Sequence, residues 1–395
     1  MLSKRNLFLS HVGQTSPSPM LIEIESAKGI WLFGPEGEKY LDLVSGVSVS
    51  NVGHGNEYVM RAVKDQIDKY MHLMVYGELV QTPQVNYARK LSDVLGYHFE
   101  SIYFVNSGSE AVEGAIKTAR RYTSRSRIIS FKNAYHGSTL GALSLYGEDN
   151  FKSRFMPLIP DIAQAEFNNT SSLSVIDETV AAVIVEPIQA EAGIITPEND
   201  FLDEIKKRCE KAGALLIFDE IQTGFGRTGS LFAFQRYDVT PDIICLAKSL
   251  GGGMPLGAFI SSRKIISTLM DNPALGHITT FGGHPVSCAA GLAALEFICS
   301  KELYNSSTVK GKRFRDKLKH KYILDIRGEG LFLAVKLSSS DIADKFIEGG
   351  TKNGLMLDRF LFCNDSFRIS PPLIIENDEI DYAVDTIHKT LDEIS

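Results

Sequence analysis

The chain predicts an α/β fold: a large domain built on a mainly parallel sheet, with a smaller α+β domain beside it. Three observations carry this. Five short apolar runs, SIYFVN (101–106), RIISF (127–131), AAVIVEP (181–187), ALLIFDE (214–220) and DIICLA (242–247), lack polar alternation, as strands buried on both faces do. Helical stretches such as SEAVEGAIKTARRY (109–122) and FLDEIKKRCEKAG (201–213) lie between several of them, the pattern of crossover connections. After about residue 300 the order becomes helix, strand, helix, strand, helix, and at 395 residues the chain exceeds what one hydrophobic core usually organises.

Taken in order, the first element is a hairpin. GIWLFGPEGEKYLDL (29–43) places Trp31, Phe33 and Tyr40 on either side of a Gly34-Pro35-Glu36-Gly37 turn. Helices and buried strands follow from about residue 55, and the small domain closes the chain. No repeats, low-complexity tracts or long linkers interrupt the order.

Composition narrows the function. The chain is 44% hydrophobic and 23% charged with a formal charge of -7, which argues against disorder and against a nucleic acid partner. Cys209, Cys245, Cys288, Cys299 and Cys363 are odd in number and widely spaced, without CxxC or metal-ligand spacing. A reducing, cytoplasmic setting and no metal are expected. The basic start MLSKRNLFLS has only a short apolar run, and no later stretch approaches a membrane span.

In open parallel sheets ligands bind beyond the carboxyl ends of the strands. The residues at those ends form a chemically coherent set: SGSEA after YFVN, KNAYHGST after RIISF, EPIQAEAG after VIV, DEIQTGFGRTG after LLIF, and Lys248 after DIICLA. Ser107, Gly108 and Ser109 precede an amphipathic helix, so they form either an anion cradle at its N-terminus or an ordinary serine cap. Asp219 ends an apolar strand, as a strand-end hydrogen bonder or as the partner of a buried cation. GFGRTG (224–229) has the spacing of a dinucleotide loop but neither directly follows its strand nor opens a long helix. Lys248 either snorkels to the surface past Ser249 or is a buried amine of lowered pKa, the form Schiff-base chemistry uses. Three glycines follow it and give backbone clearance for a bulky ligand. A lysine nucleophile, a carboxylate able to hold a ring nitrogen protonated, an anion cradle and an aromatic ring at Tyr135 together describe a pyridoxal phosphate site.

NSGSEAVEGAIKTAR, YHGST, VEPIQAEAG, FDEIQTGFGRTG, LAKSLGGGMPLG, TTFGGHP and FRISPPL stand in the order found in class III aminotransferases, and over nearly its whole length the chain resembles that family, which includes acetylornithine, ornithine and 4-aminobutyrate enzymes. The resemblance implies the type I pyridoxal-phosphate transferase fold, with a segment 1–55 joining the small domain, a cofactor domain 56–300 and a small domain 301–395. It implies that Lys248 attaches the cofactor and carries the proton between substrate and cofactor carbons. Asp219 would pair with the pyridinium nitrogen and Gln222 would approach the phenolic oxygen. Gly108 and Ser109, with Ser107, would bind the phosphate. Tyr135 would stack on the ring with His136 beside it, and Glu186 would support the ring. Thr280 would reach the phosphate of a neighbouring subunit in a homodimer with shared sites, and Thr279 beside it and Ser138 would lie on the substrate side. Arg368 would bind a substrate carboxylate, with Glu191 as its removable partner, and a surface salt bridge is the other reading of that pair. An amino donor and a 2-oxo acid, with 2-oxoglutarate expected, are the implied partners. The competing readings are an aminomutase or racemase of the same fold, and a non-catalytic binding or scaffold protein or a dinucleotide-dependent oxidoreductase using GFGRTG.

Two departures bear on substrate. Ser138 stands where the named family members resemble one another in carrying an arginine, and a hydroxyl cannot replace a bidentate cation. A distal carboxylate on the donor would need other residues, for instance near Val47. Ala190 stands where glycine is frequent, and narrows the space near Glu191.

Overall fold

A computed structural model describes residues 3–75 and 79–394. The expected hairpin is formed by the second and third of three strands, β1 (Ser26–Lys28), β2 (Trp31–Phe33) and β3 (Lys39–Asp42). β2 and β3 pair antiparallel with Trp31 opposite Leu41, and the Gly34 N–H closes the turn on the Glu38 carbonyl at 2.9 Å.

All five unalternating runs lie in one seven-stranded sheet, made of β4 (Ser101–Val105), β5 (Arg127–Phe131), β6 (Ile162–Ala165), β7 (Val180–Val185), β8 (Leu215–Asp219), β9 (Ile243–Leu246) and β10 (Gly257–Ser261), in the order β4-β10-β9-β8-β7-β5-β6. Every residue of β7, β8, β9 and β10 is buried, which is why their sequences carry no polar alternation. Each fully buried Val, Leu or Ile contributes roughly 1.5–3 kcal/mol relative to exposure. Two strands escaped the sequence reading. β6 reads IAQA, with too few β-branched residues to register, and β10 follows a glycine-rich turn so closely that its apolar run merges with it. β10 runs antiparallel to both neighbours, so β4 again points the same way as β9, β8, β7, β5 and β6. The carboxyl ends of all five sequence-read strands therefore open on one edge.

The helix Gly108–Thr123 starts at that edge, capped by Ser107, whose Oγ accepts the Glu110 N–H at 3.2 Å. Phe201–Ala212 ends where Gly213 adopts a left-handed φ of 67° and its N–H returns to the Cys209 and Glu210 carbonyls.

The C-terminal part differs from expectation in one respect. The first strand after helix Leu303–Lys317 is a hairpin, β11 (Ile323–Glu329) and β12 (Phe332–Leu337), and two further strands follow, β13 (Leu355–Met356) and β14 (Ser366–Ile369). The sequence signal was the GEG turn at 328–330, where Gly330 has a φ of 56°. β11, β12 and β14 make an antiparallel sheet, whereas β13 pairs in parallel with β3.

Arg227, from GFGRTG, is fully buried and links these parts. Its guanidinium donates to the carbonyls of Leu331 (3.0 Å) and Pro371 (2.6 Å), to Ser45 Oγ (3.2 Å) and to Asn51 Oδ1. Burial lowers its pKa to about 9, with Asp42 opposing. This motif is thus a structural tie. Among the described residues no helix is long and apolar enough to cross a membrane, and no cluster of three or more His, Cys, Asp or Glu could hold a metal.

Candidate active site

At the carboxyl edge of the large sheet lies a cavity of about 330 Å³, within the range of small-ligand sites. Ser107, Gly108, Ser109, Tyr135, His136, Glu186, Asp219, Gln222 and Lys248 all line it. Residues from five distant segments meet there because five strands end there.

Lys248 sits where β9 gives way to a short 3-10 turn, Lys248–Gly251, and has a left-handed φ of 51°. Such a backbone costs a non-glycine residue about 1–3 kcal/mol and persists only where packing enforces it. Its ammonium has no hydrogen-bond or ion-pair partner among the described residues. Burial, and then the Arg368 charge, lower its pKa from the ordinary 10.5, against the opposing pull of Glu191, Asp219 and Glu186. Competitive acetylation of the cofactor-free protein should therefore label Lys248 half-maximally at a pH below 10.5. A midpoint at or above that value would place the amine in water. Of the three glycines after it, Gly253 lines the cavity with open space at its Cβ position, while a Cβ on Gly252 would stand 2.5 Å from the Ala290 carbonyl. Clearance for a ligand explains Gly253, and helix packing explains Gly252.

Asp219 closes β8 and is buried. One carboxylate oxygen meets His136 Nδ1 at 2.7 Å, and the other accepts the Ile221 N–H at 3.1 Å. His136 is also buried, and its Nε2 has no partner. Glu186 accepts the Tyr135 N–H (3.1 Å) and the Ala190 N–H (3.0 Å), so it holds the two loops that carry Tyr135 and Glu191. Burial and the neighbouring Asp219 push its pKa well above the carboxylate range.

The serines divide their tasks. Ser107 caps the helix, and the N–H groups of Gly108 and Ser109, its first two residues, have no acceptor among the described residues. Gly137 packs against Ser109: its φ is 122°, and a Cβ there would stand 2.2 Å from Ser109 Oγ. Ser109 Oγ in turn accepts the Ser138 N–H at 3.1 Å.

Arg368, Glu191, Ser138, Thr279 and Thr280 are not in the lining. Arg368 and Glu191 are paired at 2.8 Å and both are buried, which rules out a surface salt bridge. Gln222 bridges them, accepting from Arg368 Nη1 at 2.8 Å and donating to Glu191 at 3.1 Å, so its amide is committed to the pair. The guanidinium lies over the Phe360 ring with 4.8 Å from Cζ to the ring centroid. Thr279 Oγ1 accepts from Asn106 Nδ2 at 2.8 Å, and Thr280 is exposed. Sequence reasoning missed Val49, which lines the cavity at the end of a loop where Ser45, Val47 and Ser48 all have positive φ. Nothing in SGVSVSN signals this, because a β-branched residue rarely adopts that conformation.

The donor set fits pyridoxal phosphate. Two free N–H groups stand at the N-terminus of a 16-residue helix for a phosphate, and an oriented carboxylate backed by an imidazole and an unpartnered amine line the same cavity.

The family model for the class-III aminotransferases matches residues 12–391, and the chain belongs to that family of pyridoxal-phosphate-dependent transaminases. It is 38% identical over 376 residues to the acetylornithine aminotransferase of Archaeoglobus fulgidus, covering 95% of this chain and 96% of that one. It is 37% identical over 379 residues to the acetylornithine aminotransferase of Methanopyrus kandleri, covering 95% of each. Among solved structures, the ornithine aminotransferase of Toxoplasma gondii matches with a TM-score of 0.91 at 29% identity, over 98% of this chain and 93% of that one. A Bacillus anthracis aminotransferase matches with a TM-score of 0.92 at 27% identity, over 98% of both chains. The expected fold, cofactor and enzyme class therefore hold.

Proposed function

We propose that the chain transfers an amino group from a primary amine or ω-amino acid to a 2-oxo acid, using pyridoxal phosphate attached to Lys248. The observation that carries the two-substrate reading is the buried Arg368–Gln222–Glu191 set. A buried arginine held by a movable carboxylate can release that partner when a substrate carboxylate arrives, and the fork geometry suits the C1 carboxylate of a 2-oxo acid. With Glu191 in place the same site is neutral and admits an amine that brings no carboxylate.

The cofactor, when bound, supplies an electron sink for the carbanion formed as the substrate C–H bond breaks. Around it each side chain has a defined task. Asp219, aligned by His136 and the Ile221 N–H, would keep the ring nitrogen protonated. The Gly108 and Ser109 N–H groups would hold the phosphate. Lys248 Nζ would hold the cofactor and would be the base that takes up and carries the proton of the substrate carbon. Both 2-oxoglutarate, the acceptor expected from the sequence, and pyruvate meet the requirement at C1. Likeness to acetylornithine and ornithine enzymes supports transamination of a primary amine, and the proposed subunit arrangement is a homodimer in which Thr280 faces the partner's phosphate.

Half-reactions test this. Holoenzyme mixed with a single amino acid, glutamate or alanine, should convert its absorbance to that of the pyridoxamine form, and a 2-oxo acid should restore it. Turnover of an amine without any added 2-oxo acid would instead mark an aminomutase or racemase.

A further inference from the structure

Beside Tyr135, and outside the lining of the cavity, stands a row of neutral hydroxyls. Ser138 Oγ lies 3.4 Å from Tyr135 Oη and 3.4 Å from Tyr146 Oη. The two tyrosine rings pack at 4.9 Å between centroids, Phe362 stands edge-on to Tyr146 at 6.1 Å, and Phe151 lies against Phe362 at 5.2 Å. Tyr146 is buried, and burial raises its pKa, with the nearby Glu191 charge adding to that. Its phenol therefore stays neutral at any working pH.

Cations are scarce on this side. Lys248 is the only lysine or arginine in the cavity lining among the described residues. Arg368 lies behind Gln222 and is balanced by Glu191. The Lys152 ammonium, on the segment after Tyr146, is committed to Asp149 at 3.0 Å and to the Tyr146 carbonyl at 2.9 Å. One arginine can be released, and it can serve one carboxylate. A second carboxylate on either substrate would meet rings and three hydroxyls without a cation to pair with, close to the Glu191 charge.

Resting on the transamination reading, we propose that the Tyr135–Ser138–Tyr146 row is the subsite for the substrates' far ends and selects an uncharged one: a 2-oxo acid with a single carboxylate, and a donor whose end distal to the amine is apolar or hydroxylated. Tyr146 and Ser138 are its specificity-determining residues. Pyruvate-like acceptors then outrank 2-oxoglutarate, because both acids use Arg368 at C1 and differ at the far end.

The experiment compares kcat/KM of the pyridoxamine form of the holoenzyme with 2-oxobutanoate and with 2-oxoglutarate, and of the pyridoxal form with 5-aminopentan-1-ol and 5-aminopentanoate. The uncharged member of each pair should lead by about 10-fold or more. Ser138→Arg, at an exposed position, should raise both carboxylate substrates by about 10-fold or more and cut the lead, while Tyr146→Phe should weaken the aminoalcohol selectively. Calorimetric binding of butanoate against glutarate to the holoenzyme gives the same ranking without turnover. Equal or faster reaction with 2-oxoglutarate, or tighter binding of glutarate, overturns the proposal, as does a Ser138→Arg variant that folds and leaves the ratios unmoved. If no 2-oxo acid restores the pyridoxal form, the transamination reading itself fails. If both acids restore it and 2-oxoglutarate is faster, only the far-end subsite fails.

Discussion

Lys248→Ala should lower kcat by at least about 10³-fold, since it removes both the covalent attachment and the group that moves the proton. Pyridoxal phosphate should still bind, through the Gly108 and Ser109 N–H groups and Asp219, but borohydride should no longer fix it to the chain. The melting temperature should change little, because the ammonium has no hydrogen-bond partner among the described residues. Steady-state rates, mass spectrometry after reduction and thermal unfolding check the three parts. A variant that kept activity within tenfold of the parent would sink the assignment, and a small aliphatic amine that partly restored turnover would strengthen it.

Arg368→Met should have two separable effects. Acceptor KM should rise by about 100-fold or more, because a bidentate charge-assisted contact is lost. Stability should fall by about 3–5 kcal/mol, because Glu191 is left buried without its cation. Pairing the change with Glu191→Leu should return most of the stability and none of the acceptor binding, which urea unfolding and kinetics distinguish. The ion pair also sets an acid limit. Burial works to raise the Glu191 pKa, but the Arg368 charge and the hydrogen bonds from Arg368, Gln222 and the Leu361 N–H outweigh it and bring it below the ordinary 4.5. A depressed folded-state value means that the stabilisation is present above pH 4.5 and is lost as the pH falls through the lower value. Unfolding curves of the parent should show that loss on acidification, and the double variant should lack it.

Much of the sheet could be read from the chain because burial on both faces leaves a local mark. β7 and β8 are apolar at nearly every position, and the polar residue that ends each of the five sequence-read runs sits where those strands open. Lys248 and Asp219 were visible for that reason. β10 was not, since an antiparallel return three residues after a turn is decided by its neighbours β4 and β9 and not by its own composition. The ion pair of Arg368 with Glu191 came from resemblance to a family, and its burial and its Gln222 bridge came only with the fold, because 177 residues separate the two side chains. The loop at Ser45–Ser48 left no trace in the sequence, as its backbone is imposed by contacts with Arg227, Ser249 and Ser370.

Arg227 carries a consequence for how the protein is made. Two of its acceptors, Ser45 and Asn51, are synthesised before it, while the Pro371 carbonyl follows it by 144 residues. Until residue 371 has been synthesised, the guanidinium lacks part of its shell and the loop carrying Val49 lacks its anchor. The large sheet can form early, domain fashion, as the chain emerges. The cavity beside that loop is therefore completed only once residue 371 has joined the fold, later than the sheet whose strands supply most of its lining.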